Sequence, residues 1–307
     1  MIQTTEQLTW IAADWGTSNL RIWLMADTGD VLHRISADCG MGSLTPDQFE
    51  PELMKLIAEH LPNGRTVPVF ICGMAGAKQG WAEAPYTAVP SEPPNATTAT
   101  RIKTKDSRID VYILPGMKQK APADVMRGEE TQIAGFLAAN PKFDGVICLP
   151  GTHTKWVHIS AREVVSFRTF MTGELFALIA DQSVLRHSTA SSDWDAKAFA
   201  AAVEDAMSNP ATLASKLFSI RAEALLHGQS NAVGRAKVSG LLIGAELAGA
   251  RPYWLGQNIV ILGEDGLSSA YQAALSAQGL PVPTVPSETM TLAGLCAAYL
   301  ALESKPQ

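Results

Sequence analysis

What the chain lacks narrows the field first. Its 307 residues include only four cysteines, Cys39, Cys72, Cys148 and Cys296. No two of them form a CxxC pair, so their spacing signals neither a zinc site nor a disulfide framework, and reduced thiols in a cytoplasmic setting are the expectation. No apolar run approaches the roughly 20 residues needed to cross a bilayer. The opening Met1-Ile2-Gln3-Thr4-Thr5-Glu6 has no basic segment leading into an apolar one, so neither a membrane span nor an export signal is expected. Excess positive charge is also missing: a net charge of -6 argues against nucleic acid or anionic membranes as partners, which need a positive field, and still permits a local basic pocket. Neither GxxxxGK[ST] nor GxGxxG occurs, which removes the P-loop and the usual dinucleotide fingerprint. What remains, 47% hydrophobic, is the composition of a globular protein long enough for two lobes.

Apolar periodicity gives the order of elements. Residues 8–13, 20–25 and 31–35 read as three short strands separated by turn residues such as Asp27-Thr28-Gly29-Asp30, hence a meander. A helix follows from Thr45-Pro46, with Thr45 as N-cap and Phe49, Leu53, Leu56 and Ile57 as its buried stripe. Residues 67–72 form a strand ending at Gly73-Met74-Ala75-Gly76, and a glycine-rich bend at such a strand end is where α/β sheets place ligands. Residues 91–108 read as surface loop and 111–114 as strand. Residues 123–139 carry helical spacing through Val125, Met126, Ile133, Phe136 and Leu137, stopped by Asn140-Pro141. A second unit starts with strand 146–149, a turn, and strand 156–159. Residues 173–250 are mostly helical by pattern, 259–262 form a buried strand entering Gly263-Glu264-Asp265-Gly266, and a last helix over 291–302 carries Gly294, which allows close backbone packing.

Two of these turns carry chemistry. In Asp14-Trp15-Gly16-Thr17-Ser18-Asn19-Leu20-Arg21, Gly16 lets the backbone approach a polyanion, Thr17 and Ser18 offer hydroxyl and amide donors, and Asp14 suits a magnesium ion held through its water shell. The same grammar recurs at Pro150-Gly151-Thr152-His153-Thr154-Lys155, and two such turns one domain length apart are what a nucleotide held between similar lobes requires. Lys155 either offsets phosphate charge or is a surface lysine beside a strand. His153 is expected to hydrogen-bond within its loop, because no second metal ligand stands at helical spacing.

These residues resemble a known group. Asp14-x-Gly16-Thr17-Ser18-x-x-Arg21 is similar to the first phosphate motif of the sugar kinases in the actin, hexokinase and heat-shock ATPase superfamily, and Leu149 to Trp156 sits where the second phosphate loop belongs. The 260–271 run resembles the adenosine-binding strand and loop, and the Gly294 helix resembles the one that returns to the first lobe. Three runs, Leu149-Pro-Gly-Thr-His-Thr-Lys-Trp156, Met171-Thr-Gly-Glu-Leu-Phe176 and Gly240-Leu-Leu-Ile-Gly-Ala-Glu-Leu247, resemble the 2-dehydro-3-deoxygalactonokinase family more closely. The resemblance implies a two-lobe α/β actin-like ATPase (ribonuclease H-like) fold with the nucleotide cleft between the lobes. The first lobe would span 1–140 with a returning helix over 291–307, and the second 141–290, holding a helical insertion and the adenosine site. It implies ATP and Mg2+ as cofactors and transfer of the γ-phosphate to the 6-hydroxyl of 2-dehydro-3-deoxy-D-galactonate, with a small sugar acid and ATP as partners and homo-oligomerisation left open. Alternatives are a kinase of another sugar or sugar acid and a non-catalytic nucleotide-binding regulator on the same fold.

The site residues follow from the same resemblance. Asp14, Gly16, Thr17, Ser18, Arg21, Gly151, Thr152, His153, Thr154, Lys155, Gly263 and Gly266 fall to the cofactor, with Asp14 at the metal. One departure is Leu149, where many superfamily members carry an acid. In related sugar kinases the catalytic carboxylate stands after a glycine at a helix start, which points to Glu129 as base, then Glu130, with Asp124 next in line; both glutamates also complement a helix dipole. For the substrate, Ser43, Gly73, Met74, Thr172 and Glu174 lie on turns able to face a sugar acid or to act only as turns and caps, Thr172 being an N-cap candidate. The substrate carboxylate wants a cation, and Arg21, Lys78, Arg127 and Arg168 are the unranked choices.

Overall fold

The structure, a computed structural model, describes residues 7–264 and 266–303. The readings made above for residues 1–6, for Asp265 and for 304–307 lie outside the described residues. The chain divides into two units, one of Met1–Phe143 with Ser160–Val165 and Ser287–Gln307, the other of Asp144–Ile159 with Ser166–Pro286.

In the first unit the three apolar runs become an antiparallel meander of β1 (Trp10–Trp15), β2 (Leu20–Met25) and β3 (Val31–Ala37). Helix α1 (Phe49–Ile57) follows a 3-10 turn at Pro46–Gln48, in which the Gln48 side chain accepts the Thr45 N–H at 2.8 Å. It leads into β4 (Val67–Gly73), which pairs parallel to β1. Beyond β4 lie β7 (Ile109–Ile113), parallel to it, and the edge strand β6 (Thr100–Ile102), antiparallel to β7. Much of the 91–108 segment is loop, as its composition predicts, and β6 is the part the sheet captures. The order is β3-β2-β1-β4-β7-β6.

Period-two alternation sorts the side chains of this sheet. Ile11, Ala13 and Trp15 join Val69, Ile71, Phe49 and Leu53 in the core under α1, whereas Trp10, Ala12, Phe70 and Cys72 face the opposite side, where Leu295, Ala298 and Tyr299 of the last helix, α10 (Ser287–Glu303), cover them. Helix α2 (Glu129–Ala139) lies on α10 with almost no side chain between them: a Cβ on Gly294 would collide with the Thr131 carbonyl, and one on Gly135 with the Met290 carbonyl.

The helical spacing over 123–139 holds only in part. Residues Ala123–Met126 are strand β9, paired antiparallel with β8 (Met117–Lys120), and β5 (Thr87–Ala88) completes this small sheet. Ladder hydrogen bonds supplied by β8 outweigh the local spacing of Val125 and Met126, and Gly128 at φ +106° turns the chain before α2 begins.

The second unit repeats the plan. β10 (Gly145–Leu149), β11 (Thr154–Ser160) and β12 (Glu163–Phe170) form the meander. A helical stretch follows as predicted: α3 (Thr172–Ala177) continues into a π-helical segment Leu178–Gln182, then come α4 (Arg186–Thr189), α5 (Ala196–Ser208), α6 (Leu213–His227), α7 (Asn231–Gly249) and α8 (Arg251–Trp254). β13 (Ile259–Leu262), α9 (Leu267–Ser276) and β14 (Thr284–Val285) finish the unit. Its sheet order β12-β11-β10-β13-β14, with β10, β13 and β14 parallel, reproduces β3-β2-β1-β4-β7. This is the ribonuclease H-like arrangement, and its duplication in one chain is the fold of the actin-like ATPases.

Candidate functional site

The carboxyl ends of β1 and β4 assemble the first cluster. Sheet register places Asp14 opposite Arg21 on β2 and opposite Cys72 on β4, and the alternation that puts Trp10 and Ala12 on the α10 face puts Asp14 there too. Arg21 Nη2 donates to Asp14 Oδ2 at 2.5 Å and Cys72 Sγ to Asp14 Oδ1 at 3.7 Å. The guanidinium also reaches Glu288 at the start of α10, 3.3 Å away, and Arg34 joins the same carboxylate at 2.7 Å. Burial pushes the Cys72 thiol well up, and the neighbouring Asp14 and Glu130 carboxylates add to the effect.

Helix α2 brings its acids to the same corner. Gly128 lies so near Gly73 that a Cβ on it would stand 3.5 Å from the Gly73 Cα. Glu130 is wholly buried and both its oxygens accept the Gly128 N–H, at 2.9 and 2.7 Å. Burial, reinforced by the adjacent Glu129 charge, raises its pKa to about 8. Glu129 is half-buried and accepts the Arg127 N–H at 3.0 Å. Asp124 is on strand β9, not on the helix, and accepts the Val125 N–H at 2.8 Å.

The turn after β1 is held by its carbonyls. Those of Gly16, Thr17 and Ser18 accept from Met41, Gly42 and Gly40 at 2.9, 2.8 and 3.0 Å. A trans peptide points its N–H opposite its carbonyl, so the amides of Thr17, Ser18 and Asn19 point away from the donors of residues 40–42, and these three residues are exposed. Ser43 is exposed, with its hydroxyl on the Gly40 carbonyl at 2.9 Å. Met74 opens a 3-10 turn after Gly73, and Lys78 is exposed beyond it. Arg127 is the unusual cation: Nη2 donates to the Ala84 carbonyl at 2.8 Å and the guanidinium lies 4.3 Å from the Tyr86 ring centroid, yet Nε and Nη1 are buried without a hydrogen-bond partner.

The second unit supplies a cavity of about 760 Å3, large enough for a nucleoside. Gly151 and Thr152 of the second turn form one part of its wall and Gly266 and Leu267 another, with Phe176, Phe199 and Leu242 among the apolar residues that line it. Gly263 donates to the Val285 carbonyl at 3.0 Å and so fixes the chain entering the 263–266 turn. His153 Nε2 and Glu174 Oε2 are 2.6 Å apart, so the His153 ring is paired with α3 and not within its own loop. Lys155 is buried, not a surface lysine, and donates to the His153 carbonyl at 3.1 Å. Thr154 is fully buried beside Tyr271. Thr172 is not the N-cap of α3, a place taken by Met171; its hydroxyl instead donates to Glu246. Arg168 is exposed on β12.

Side chains the sequence reading passed over complete both clusters: Cys72 and Glu288 in the first unit, Glu246, Tyr271 and Trp156 in the second. Burial raises the pKa of Glu246 to about 7, against the hydrogen bonds from Thr172, Tyr271 and Trp156 that favour its ionised form. An acid inside the otherwise apolar run Leu241 to Leu247 was the available signal.

The chain is similar to known proteins over nearly its whole length. A protein of Rhizobium meliloti assigned as a 2-dehydro-3-deoxygalactonokinase is 42% identical over 299 residues, 95% of this chain and 96% of its own. The 2-dehydro-3-deoxygalactonokinase of Escherichia coli is 33% identical over 290 residues, 93% of this chain and 96% of its own. A crystal structure from Sinorhizobium meliloti, assigned to the same activity, superposes with a TM-score of 0.89 at 40% identity, covering 96% of this chain and all of that one. Residues 14–298, from the Asp14 cluster through the α10 helix that packs on it, match the family described as 2-keto-3-deoxy-galactonokinase, and the chain belongs to that family.

Proposed function

We propose that this protein uses ATP to phosphorylate the 6-hydroxyl of 2-dehydro-3-deoxy-D-galactonate. The observation that carries the reading is the cavity of the second unit, whose wall joins the Gly151–Thr152 turn to the Gly266–Leu267 turn. Its size and apolar lining suit adenosine, with Gly263 and Gly266 at the nucleoside end and the amides of Gly151 to Lys155, with His153 and Lys155, at the phosphate end. In the first unit, Gly16, Thr17, Ser18 and Arg21 serve the phosphates. Among the described residues no group of three or more His, Cys, Asp and Glu side chains is placed to hold a metal. Mg2+ fits such a site through one carboxylate, Asp14, its own waters and phosphate oxygens, and when bound it neutralises charge on the transferring phosphoryl group.

Glu129 is the base in this reading. It is half-buried, whereas Glu130 has no exposed surface to offer a substrate. The sugar 6-hydroxyl oxygen attacks the γ-phosphorus, the bond to the β-bridging oxygen breaks, ADP leaves, and Glu129 takes the hydroxyl proton. Arg127 is the preferred cation for the substrate carboxylate, since it adjoins Gly128 and Glu129 and its Nε and Nη1 are without a partner, so that a turn of the guanidinium toward a carboxylate would answer one of them. Arg21, paired with Asp14 and Glu288, belongs in this reading with the phosphates and Asp14. Ser43, Gly73, Met74, Lys78, Arg168, Thr172 and Glu174 remain secondary choices, and the Thr172 hydroxyl is engaged by Glu246.

A coupled ADP-release assay over keto-deoxy sugar acids and aldoses tests the proposal. ADP release dependent on 2-dehydro-3-deoxy-D-galactonate is expected. Preference for an aldose would transfer the activity to another sugar kinase class, and nucleotide binding with no acceptor-dependent turnover would favour a regulatory protein.

A further inference from the structure

Glu246 stands in the middle of the apolar side of α7, with Leu242, Ile243 and Leu247 buried around it, and only 3% of it is exposed. Hydrophobic residues would pack such a position at lower cost, because a buried carboxylate must have its lone pairs answered. Here both oxygens are answered. The Trp156 indole N–H on β11 donates to Oε1 at 2.7 Å, and the Tyr271 hydroxyl on α9 donates to Oε2 at 2.7 Å, with the Thr172 hydroxyl on α3 donating to the same oxygen. When Glu246 is ionised it only accepts, so the Tyr271 proton goes to Glu246 and the Tyr271 oxygen accepts from Thr154 Oγ1, 2.9 Å away. In that form the bonds run from Thr154 through Tyr271 to Glu246.

These donors come from the elements that wall the cavity. Thr154 and Trp156 carry the chain out of the 151–155 turn into β11. Thr172 opens α3, whose Glu174 N–H donates to the Thr152 carbonyl at 2.9 Å. Tyr271 is one helical turn past Leu267 on the opposite wall. One carboxylate thus fastens the phosphate-type turn to α3 and α9.

We propose that Glu246 is a positioning residue for the polyphosphate of the nucleotide, acting through Thr154, Trp156 and Thr172 without touching the ligand. This rests on the reading that the cavity takes ATP. Because the clamp grips the 151–155 turn and not the apolar wall, its loss weakens the contribution of the phosphates and spares that of the nucleoside.

Calorimetric titration with adenosine and with Mg-ADP, on wild type, Glu246→Gln and Tyr271→Phe, separates the possibilities, with melting temperatures recorded alongside. A carboxamide keeps the size of Glu246 but cannot accept from the indole and both hydroxyls, and Tyr271→Phe removes only a hydroxyl. Both variants are expected to bind Mg-ADP about tenfold more weakly, the lower end of losses seen when second-layer partners are removed, with adenosine affinity within about twofold of wild type, and to raise the KM for ATP more than they lower kcat. Equal losses for the two ligands, or unchanged Mg-ADP affinity with lowered melting temperature, would reduce Glu246 to a structural role and overturn the inference while the cavity reading stands. A wild type that binds neither ligand would overturn both. Should Glu246→Gln fail to fold, Tyr271→Phe and Thr154→Val decide by the same contrast.

Discussion

Glu130 offers a prediction whose sign follows from its surroundings. Burial raises its pKa from 4.5 to about 8, so the folded state holds a proton that the unfolded chain gives up near pH 4.5. Below that pH both states are protonated and the stability is fully present. As pH rises the unfolded chain ionises first, stability falls, and the loss is complete once the folded carboxyl also ionises, near pH 8. At about 1.4 kcal/mol per pH unit the gap amounts to about 5 kcal/mol, or on the order of 10 °C in melting temperature for a unit of this size. Glu130→Gln removes the titration and keeps an oxygen for the Gly128 N–H. Thermal melts of both proteins between pH 5 and 8 are expected to start close together and diverge, with the variant increasingly more stable toward pH 8. A difference that does not change with pH, or a wild type that gains on the variant as pH rises, would refute the reasoning.

Glu129→Gln is expected to cost at least about a hundredfold in kcat, the lower end of general-base contributions, and Glu130→Gln much less; the opposite ranking in an ADP-release assay would pass the role to Glu130. Arg127→Lys keeps the charge but loses the planar guanidinium and its stacking on Tyr86, so the KM for the sugar acid should rise about tenfold or more while that for ATP holds; equal changes in both would remove Arg127 from the acceptor site. Gly294→Ala gains about 1 kcal/mol of helix propensity but drives a Cβ into the Thr131 carbonyl of α2, and overpacking of about 1–3 kcal/mol or more outweighs it. Its melting temperature should fall by several degrees, and a rise would contradict the close approach of α2 and α10.

Much of the frame was legible because it is written in local patterns. The meander β1 to β3, the strand ending at Gly73 and the recurrence of strand, turn and strand at Gly151 all rest on period-two runs punctuated by glycine. Gly294 was legible because a glycine amid small residues in a helix has few other reasons to be there. The sequence was less informative where pairing decides. Val125 and Met126 sit in step with Ile133, so only β8, distant from the helix they imitate, reveals them as strand. β12 was missed because Val164 and Phe167 are buried three residues apart and the alternation is broken. At the site, one turn's chemistry can be read from its own letters, but that Asp14 faces Cys72, or that Glu246 gathers Trp156, Thr172 and Tyr271, depends on register and helix packing. The two adjacent acids of α2 looked interchangeable along the chain, and burial is what separates them.

The central claim is transfer of phosphate to the 6-hydroxyl of the sugar acid, and the product itself tests it most directly. Phosphorus–proton correlation NMR on the reaction of wild-type protein with Mg-ATP and 2-dehydro-3-deoxy-D-galactonate should show the new phosphorus coupled to the C6 methylene protons, with one ADP formed per ester. A phosphorus coupled to any other position, or inorganic phosphate with no ester, would contradict the account.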